Sequence, residues 1–215
     1  MKLNFKLFLI LSMTVSCLSG QTFYKGSITF ANGDVKNGFV APPKDANQKN
    51  ILFRSTEKAK NEKIQNGTLT AISIESENGK TLDFEYLPTA QGPGKSTKNY
   101  WLFTEVKGFA TLYLMSVYRI DRHGNAYSVY YAQNSHDQAM FPYYIKKKNE
   151  KVAYFFAYTS ISHTVIGLNA FLKKSASLYL NDDPGLVKRI NDKDLTHRNL
   201  AEIINIYNDF MDKKQ

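Results

Sequence analysis

Cysteine is all but missing from this chain: Cys17 is the only one among 215 residues. No disulfide can form within the molecule, so its stability has to come from a hydrophobic core, which a chain of this length can build without covalent staples. No internal repeat or coiled-coil heptad is present, and no apolar run beyond residue 20 is long enough to span a bilayer as a helix. The Gly-x-Ser-x-Gly elbow of many serine hydrolases is absent, and no second histidine or carboxylate recurs at metal-ligand spacing. The sequence thus names no catalytic residue, no metal ligand and no cofactor, and a non-enzymatic protein is expected.

What is present starts at the N-terminus. Lys2 and Lys6 flank the start of an apolar run, Leu7 to Val15, followed by the small residues Ser16, Ser19 and Gly20. A basic leader, a short apolar core and a small-residue exit make a secretory signal peptide over residues 1–20, cleaved before Gln21. Cys17 leaves with it; the competing reading, lipid attachment at Cys17 behind Thr14-Val15-Ser16, lacks the usual leucine three residues upstream. The expected location is extracytoplasmic: periplasmic, associated with the outer membrane, or secreted. Loss of Lys2 and Lys6 lowers the formal charge from +9 to +7. Such a balance gives weak, nonspecific attraction to anionic surfaces. Nucleic acid is not expected as a partner, because the basic residues are scattered; the one tight cluster, Lys146-Lys147-Lys148, precedes Asn149-Glu150 like a solvated hairpin tip.

Apolar residues then recur with period two. Tyr24, Gly26, Ile28 and Phe30 share one strand face, Asn32-Gly33 supplies positive φ angles for a tight turn, and Val35 to Val40 returns. Thr70, Ile72 and Ile74 pair in the same way with Leu82, Phe84 and Tyr86 across Asn78-Gly79. Pro88 to Lys98, with Gly92-Pro93-Gly94, reads as an exposed loop. Tyr100 to Ile120 reads as two central strands broken at Lys107-Gly108. Asp121 to Asn125 turns the chain, Tyr127, Val129 and Tyr131 continue the sheet, and Phe141 to Ile145 and Val152 to Tyr158 extend it.

The period changes after residue 160. Helices are expected at Val165 to Leu172, after the capping pair Asp183-Pro184, and through Leu200, Ile203, Ile204, Tyr207, Phe210 and Met211 with Thr196 as cap. The expected fold is therefore α+β: a predominantly antiparallel sheet over residues 21–160, followed by a helical segment over residues 161–215 packed on the same core.

Individual polar residues have ordinary roles in this reading. His123 and His197 are expected at the surface, His136-Asp137 in a polar loop, and Ser160, Ser162 and His163 lack an elbow to expose a nucleophile. Asp182-Asp183, Asp192 and Asp194 bracket helix starts, where they favour the positive end of the helix dipole. Asn66-Gly67-Thr68 matches a glycosylation acceptor but reads as a turn. Tyr130-Tyr131 and Tyr143-Tyr144 would point to opposite faces of a strand; the expected arrangement is a two-layer sheet whose second face is covered by the C-terminal helices, the alternative being an aromatic of each pair outside the core for sugars, bases or a protein interface.

Tyr24-Lys25-Gly26 after a leader, the segment Lys107-Gly108-Phe109-Ala110-Thr111-Leu112-Tyr113, and the closing Ile206-Tyr207-Asn208 resemble a group of uncharacterised secreted proteins of Bacteroidetes. The resemblance implies an extracytoplasmic module that in some members is fused to an outer-membrane β-barrel; this chain resembles the stand-alone form, with no transmembrane segment in its mature part. The expected function is an interaction or structural module of the cell envelope, with an envelope protein or a glycan as partner; the alternative is a glycan- or lipid-binding domain using sheet aromatics and nearby lysines, whose ligand-binding residues the sequence does not name.

Overall fold

The computed structural model describes residues 22–76, 79–120, 126–129, 132–133, 139–162 and 165–214. The strands are β1 (Tyr24–Phe30), β2 (Val35–Val40), β3 (Asn50–Arg54), β4 (Glu62–Gln65), β5 (Leu69–Glu75), β6 (Thr81–Ala90), β7 (Lys98–Val106), β8 (Ala110–Leu114), β9 (Val117–Ile120), β10 (Ala126–Val129), β11 (Ala132–Gln133), β12 (Ala139–Lys147) and β13 (Ala153–Thr159). Helices α1 (Leu168–Tyr179), α2 (Pro184–Asn191) and α3 (Leu200–Asp212) follow. The fold is α+β, as the pattern predicts.

One mostly antiparallel sheet holds eleven strands in the path β11-β12-β8-β7-β6-β5-β1-β2-β3-β4, with β13 joining both β12 and β6. Its pairing with β6 is parallel, Ala153 opposite Thr89 and Tyr154 opposite Ala90. Strands β6, β7, β8, β12 and β13 therefore close into a ring, while β5 to β4 continue outward as an open sheet. Closure removes two strand edges that would otherwise template pairing with another chain.

The alternation of the two hairpins is realised. Ile28, Ile72, Ile74 and Phe84 are buried on one face with Ile51, Phe53 and Trp101. Helices cover another part of the sheet through Leu172, Ala176, Leu186, Ile190, Leu200, Ile203, Ile204 and Tyr207, packed on Val106, Leu112, Ile145 and Phe156. A third cluster, Leu102, Tyr113, Met115, Tyr144 and Phe155, lies on the opposite face of the ring strands.

Several boundaries depart from the pattern for identifiable reasons. In the first turn only Gly33 has positive φ, at 92°; Phe30 N–H donates to Asp34 and Gly33 N–H to Phe30, so three residues, not two, make the loop. Strand β6 runs through Pro88 to Ala90 because β7 and β13 both pair with its end, which shortens the expected loop to residues 91–97. The apolar stretch after Gly108 breaks at Met115-Ser116, and β9 pairs only with β10 in a separate two-stranded sheet, so Tyr127 and Val129 do not continue the main one. Helix α1 starts at Leu168, behind Gly167 at φ 90°, and runs on to Tyr179. Asn199, not Thr196, is the α3 cap position; Thr196 donates from its N–H and hydroxyl to the Asn199 side chain, both at 3.0 Å. Asp183 caps α2 as predicted, accepting from Leu186 N–H at 3.0 Å.

Two segments some hundred residues apart in sequence meet in space. Asn208 of α3 is buried and clasps Ala110 of β8, its Oδ1 accepting from the Ala110 N–H at 2.7 Å and its Nδ2 donating to the Ala110 carbonyl at 3.0 Å. A Cβ at Gly108 would fall 2.2 Å from Asn208 Nδ2, so glycine there makes room for the clasp.

Candidate functional site

Lys146 and Lys147, expected at a solvated hairpin tip, are instead engaged in two partly buried clusters, and a third polar cluster lies nearby on the sheet. On the inward face of the ring, Tyr113 donates to Glu85 Oε2 at 3.1 Å and Lys146 reaches the same oxygen at 3.3 Å. Burial, then the Glu85 charge, pushes the Tyr113 hydroxyl well above its ordinary range. On the helix side, Tyr207 donates to Asp182 at 2.5 Å and Lys147 pairs with the same carboxylate at 2.9 Å. Burial opposes ionisation of Asp182, but hydrogen bonds from Tyr207 and Lys147 and the lysine charge outweigh it, and its carboxyl sits below the usual range. The third cluster joins Tyr143 and Glu105. Adjacent strand residues alternate faces, so Lys146 and Lys147 part company; of the three lysines only Lys148 is exposed at the hairpin tip.

The remaining predicted residues find structural partners. Ser160 donates to the Ala139 carbonyl at 2.7 Å, and its Oγ accepts from Ser162 N–H at 3.1 Å. Both roles are backbone fastening. His197 is partly buried rather than solvent-facing, with its N–H on Asn169 Oδ1 at 3.0 Å; burial, then Arg198, lowers its pKa. Asp182 is a tyrosine and lysine acceptor rather than a helix cap, and Asp192 sits at the C-terminal cap of α2, paired with Lys188. Asn66 is buried in a 3₁₀ turn and donates to the Gln48 carbonyl, which withdraws it as a glycosylation acceptor. Tyr144 is buried on Phe155 and Tyr143 half-buried beside the helices, in keeping with a sheet covered on both faces rather than with exposed aromatics. His123, His136, His163, Cys17, Tyr130 and Tyr131 lie outside the described residues, as do the leader and the 121–125 turn.

What the described surface does offer is apolar. Ile161 and Ile166, in the connection from β13 to α1, are 77% and 95% exposed. On α1, Phe171 and Leu178 are exposed and lie seven residues apart on one helix face. Phe171 also touches Phe155 and Tyr158, with ring centres 4.9 and 6.3 Å away. Ile161 forms one wall of a groove of about 430 Å³ whose other walls are Phe103, Leu114, Phe141, Tyr143 and Thr159. Glu105 supplies its charge. That residue is exposed, yet burial around the carboxyl raises its pKa, partly offset by the Tyr143 hydrogen bond. Among the described residues no lysine or arginine pairs with it. An apolar groove whose acid lacks a cation partner can receive apolar side chains next to a cation.

Sequence reasoning missed Glu105, Ile166 and Phe171. Period-two reading places Glu105 on a strand but not beside Ile161, and it places Ile166 inside the expected helix. Among the described residues no group of three His, Cys, Asp or Glu could hold a metal ion, and no helix is long and apolar enough to cross a membrane. No family model, curated protein or solved structure matches the chain.

Proposed function

We propose that the protein is a non-enzymatic extracytoplasmic interaction module of the bacterial cell envelope, and that its partner is a polypeptide segment presenting apolar side chains beside a lysine or arginine. The observation that carries this reading is the groove between Phe103, Leu114, Phe141 and Ile161 with Glu105, which has no cation partner among the described residues, in its lining; Ile166 is a further exposed apolar side chain of the same connection. Burying exposed apolar side chains drives association, and a cation delivered to Glu105 compensates a carboxylate that the fold leaves without one. The basic leader and apolar core of residues 1–20 support the location. A photo-reactive residue at position 166, illuminated in the native envelope, is expected to give a discrete protein adduct whose linked peptide holds a lysine or arginine within an apolar stretch. Ile161→Asp should abolish that adduct. No adduct, or one indifferent to Ile161→Asp, contradicts the proposal.

A further inference from the structure

A second, polar surface lies on the open part of the sheet. Strand register sets Asn37, Ser27, Ser73 and Asp83 side by side on β2, β1, β5 and β6. One step along the strands a second row runs Phe39, Lys25, Glu75, Thr81. A trough of about 560 Å³ follows these rows across the strands. Neighbouring strands are about 4.8 Å apart, so a row offers one polar side chain per strand at close to the length of a pyranose ring.

The strands under the trough approach closely on their other face. Gly26 and Gly38 face each other across β1 and β2. A Cβ at Gly26 would lie 2.1 Å from the Ser73 carbonyl oxygen, and one at Gly38 2.6 Å from the Phe53 ring. Only glycine permits so close an approach on the side away from the trough.

Charge selects the ligand class. Lys25 and Glu75 pair at 3.3 Å, and Asp83 pairs with Lys107 at 2.7 Å, so every charge along the rows has its opposite beside it. An ionic ligand finds no unpaired charge along the rows, whereas a polyhydroxylated one finds hydroxyl, amide and carboxylate partners and, in the half-buried Phe39, an apolar face for ring C–H groups. We propose that this trough binds an uncharged oligosaccharide lying across β2, β1 and β5. The site is distinct from the apolar groove and does not depend on it. Its aromatic is Phe39.

Titration calorimetry of the protein against cellohexaose, laminarihexaose and mannohexaose, with hexagalacturonate as the anionic counterpart, tests this. At least one neutral hexamer is expected to bind with Kd below about 1 mM, and hexagalacturonate at least about tenfold more weakly. Phe39→Ala should weaken binding about tenfold, and Asn37→Ala, at an exposed position, by a similar factor with an unchanged melting temperature. Ser73→Lys should abolish it by filling the floor. No binding of any neutral hexamer, a preference for hexagalacturonate, or equal affinity in the Asn37→Ala and Ser73→Lys proteins overturns the proposal.

Discussion

The clasp between Asn208 and Ala110 allows a two-residue test of how the last helix is locked to the sheet. Asn208→Ala leaves the buried Ala110 N–H and carbonyl without partners. An orphaned buried group costs about 1–3 kcal/mol, so the pair should cost about 2–6 kcal/mol. At this size each kcal/mol lowers the melting temperature by roughly 2–4 °C. Gly108→Ala alone has two opposed effects: a stiffer unfolded chain stabilises by about 0.4–1 kcal/mol, while overpacking costs about 1–3 kcal/mol. With the new Cβ at 2.2 Å from Nδ2 and 2.5 Å from Cγ of Asn208, overpacking wins. In the Asn208→Ala background the obstruction is gone, and Gly108→Ala should become neutral or stabilising. The cycle is therefore non-additive by about 1–2 kcal/mol, against about 0.5 kcal/mol for independent sites. Urea unfolding followed by fluorescence of Trp101, the sole and fully buried tryptophan, reads it out. Additive costs would mean that Gly108 is not glycine on account of Asn208.

Ile204 is fully buried on the inner face of α3, and Ile204→Asp should cost more than about 4 kcal/mol through lost burial and an unpaired charge; an unchanged urea midpoint would make the helix a free tail. Asp182, with its lowered pKa, stabilises the fold above the unfolded carboxylate value of about 3.9 and loses that contribution as pH falls through its folded value. The stability advantage of the parent over Lys147→Met should accordingly shrink below about pH 4; a pH-independent difference would remove the ion pair from the account. Binding to anionic vesicles should be weak and fade with salt, since the screening length is about 8 Å at physiological ionic strength. Lys148→Gln should change it little because Lys146 and Lys147 are engaged elsewhere; salt-resistant retention that vanished in this variant would make the hairpin tip a specific site.

Local signals carried much of the architecture. Alternation at Thr70, Ile72 and Ile74, the Asp183-Pro184 cap and the helical spacing of Leu200 to Tyr207 act through neighbouring residues, and each appears as read. Non-local events left no such mark. Ring closure rests on Ala153 and Tyr154 meeting Thr89 and Ala90, some sixty residues apart in sequence. The tyrosine clusters likewise form between strands and helices that periodicity treats separately: Tyr113 with Glu85, Tyr207 with Asp182. Asn208, a polar residue among buried neighbours on an amphipathic helix, gains its meaning only from the Ala110 backbone opposite. The candidate groove was illegible for the same reason, because β7, β8, β12 and the β13–α1 connection each contribute a wall.

Retention on isolated native envelopes tests the central claim most directly. The protein is compared with its Ile161→Asp/Ile166→Asp variant, both positions being largely exposed so that the fold is preserved. The account predicts that the parent is retained at physiological salt and that the variant is retained at least about tenfold less, with an unchanged melting temperature. Equal retention of the two proteins would contradict it.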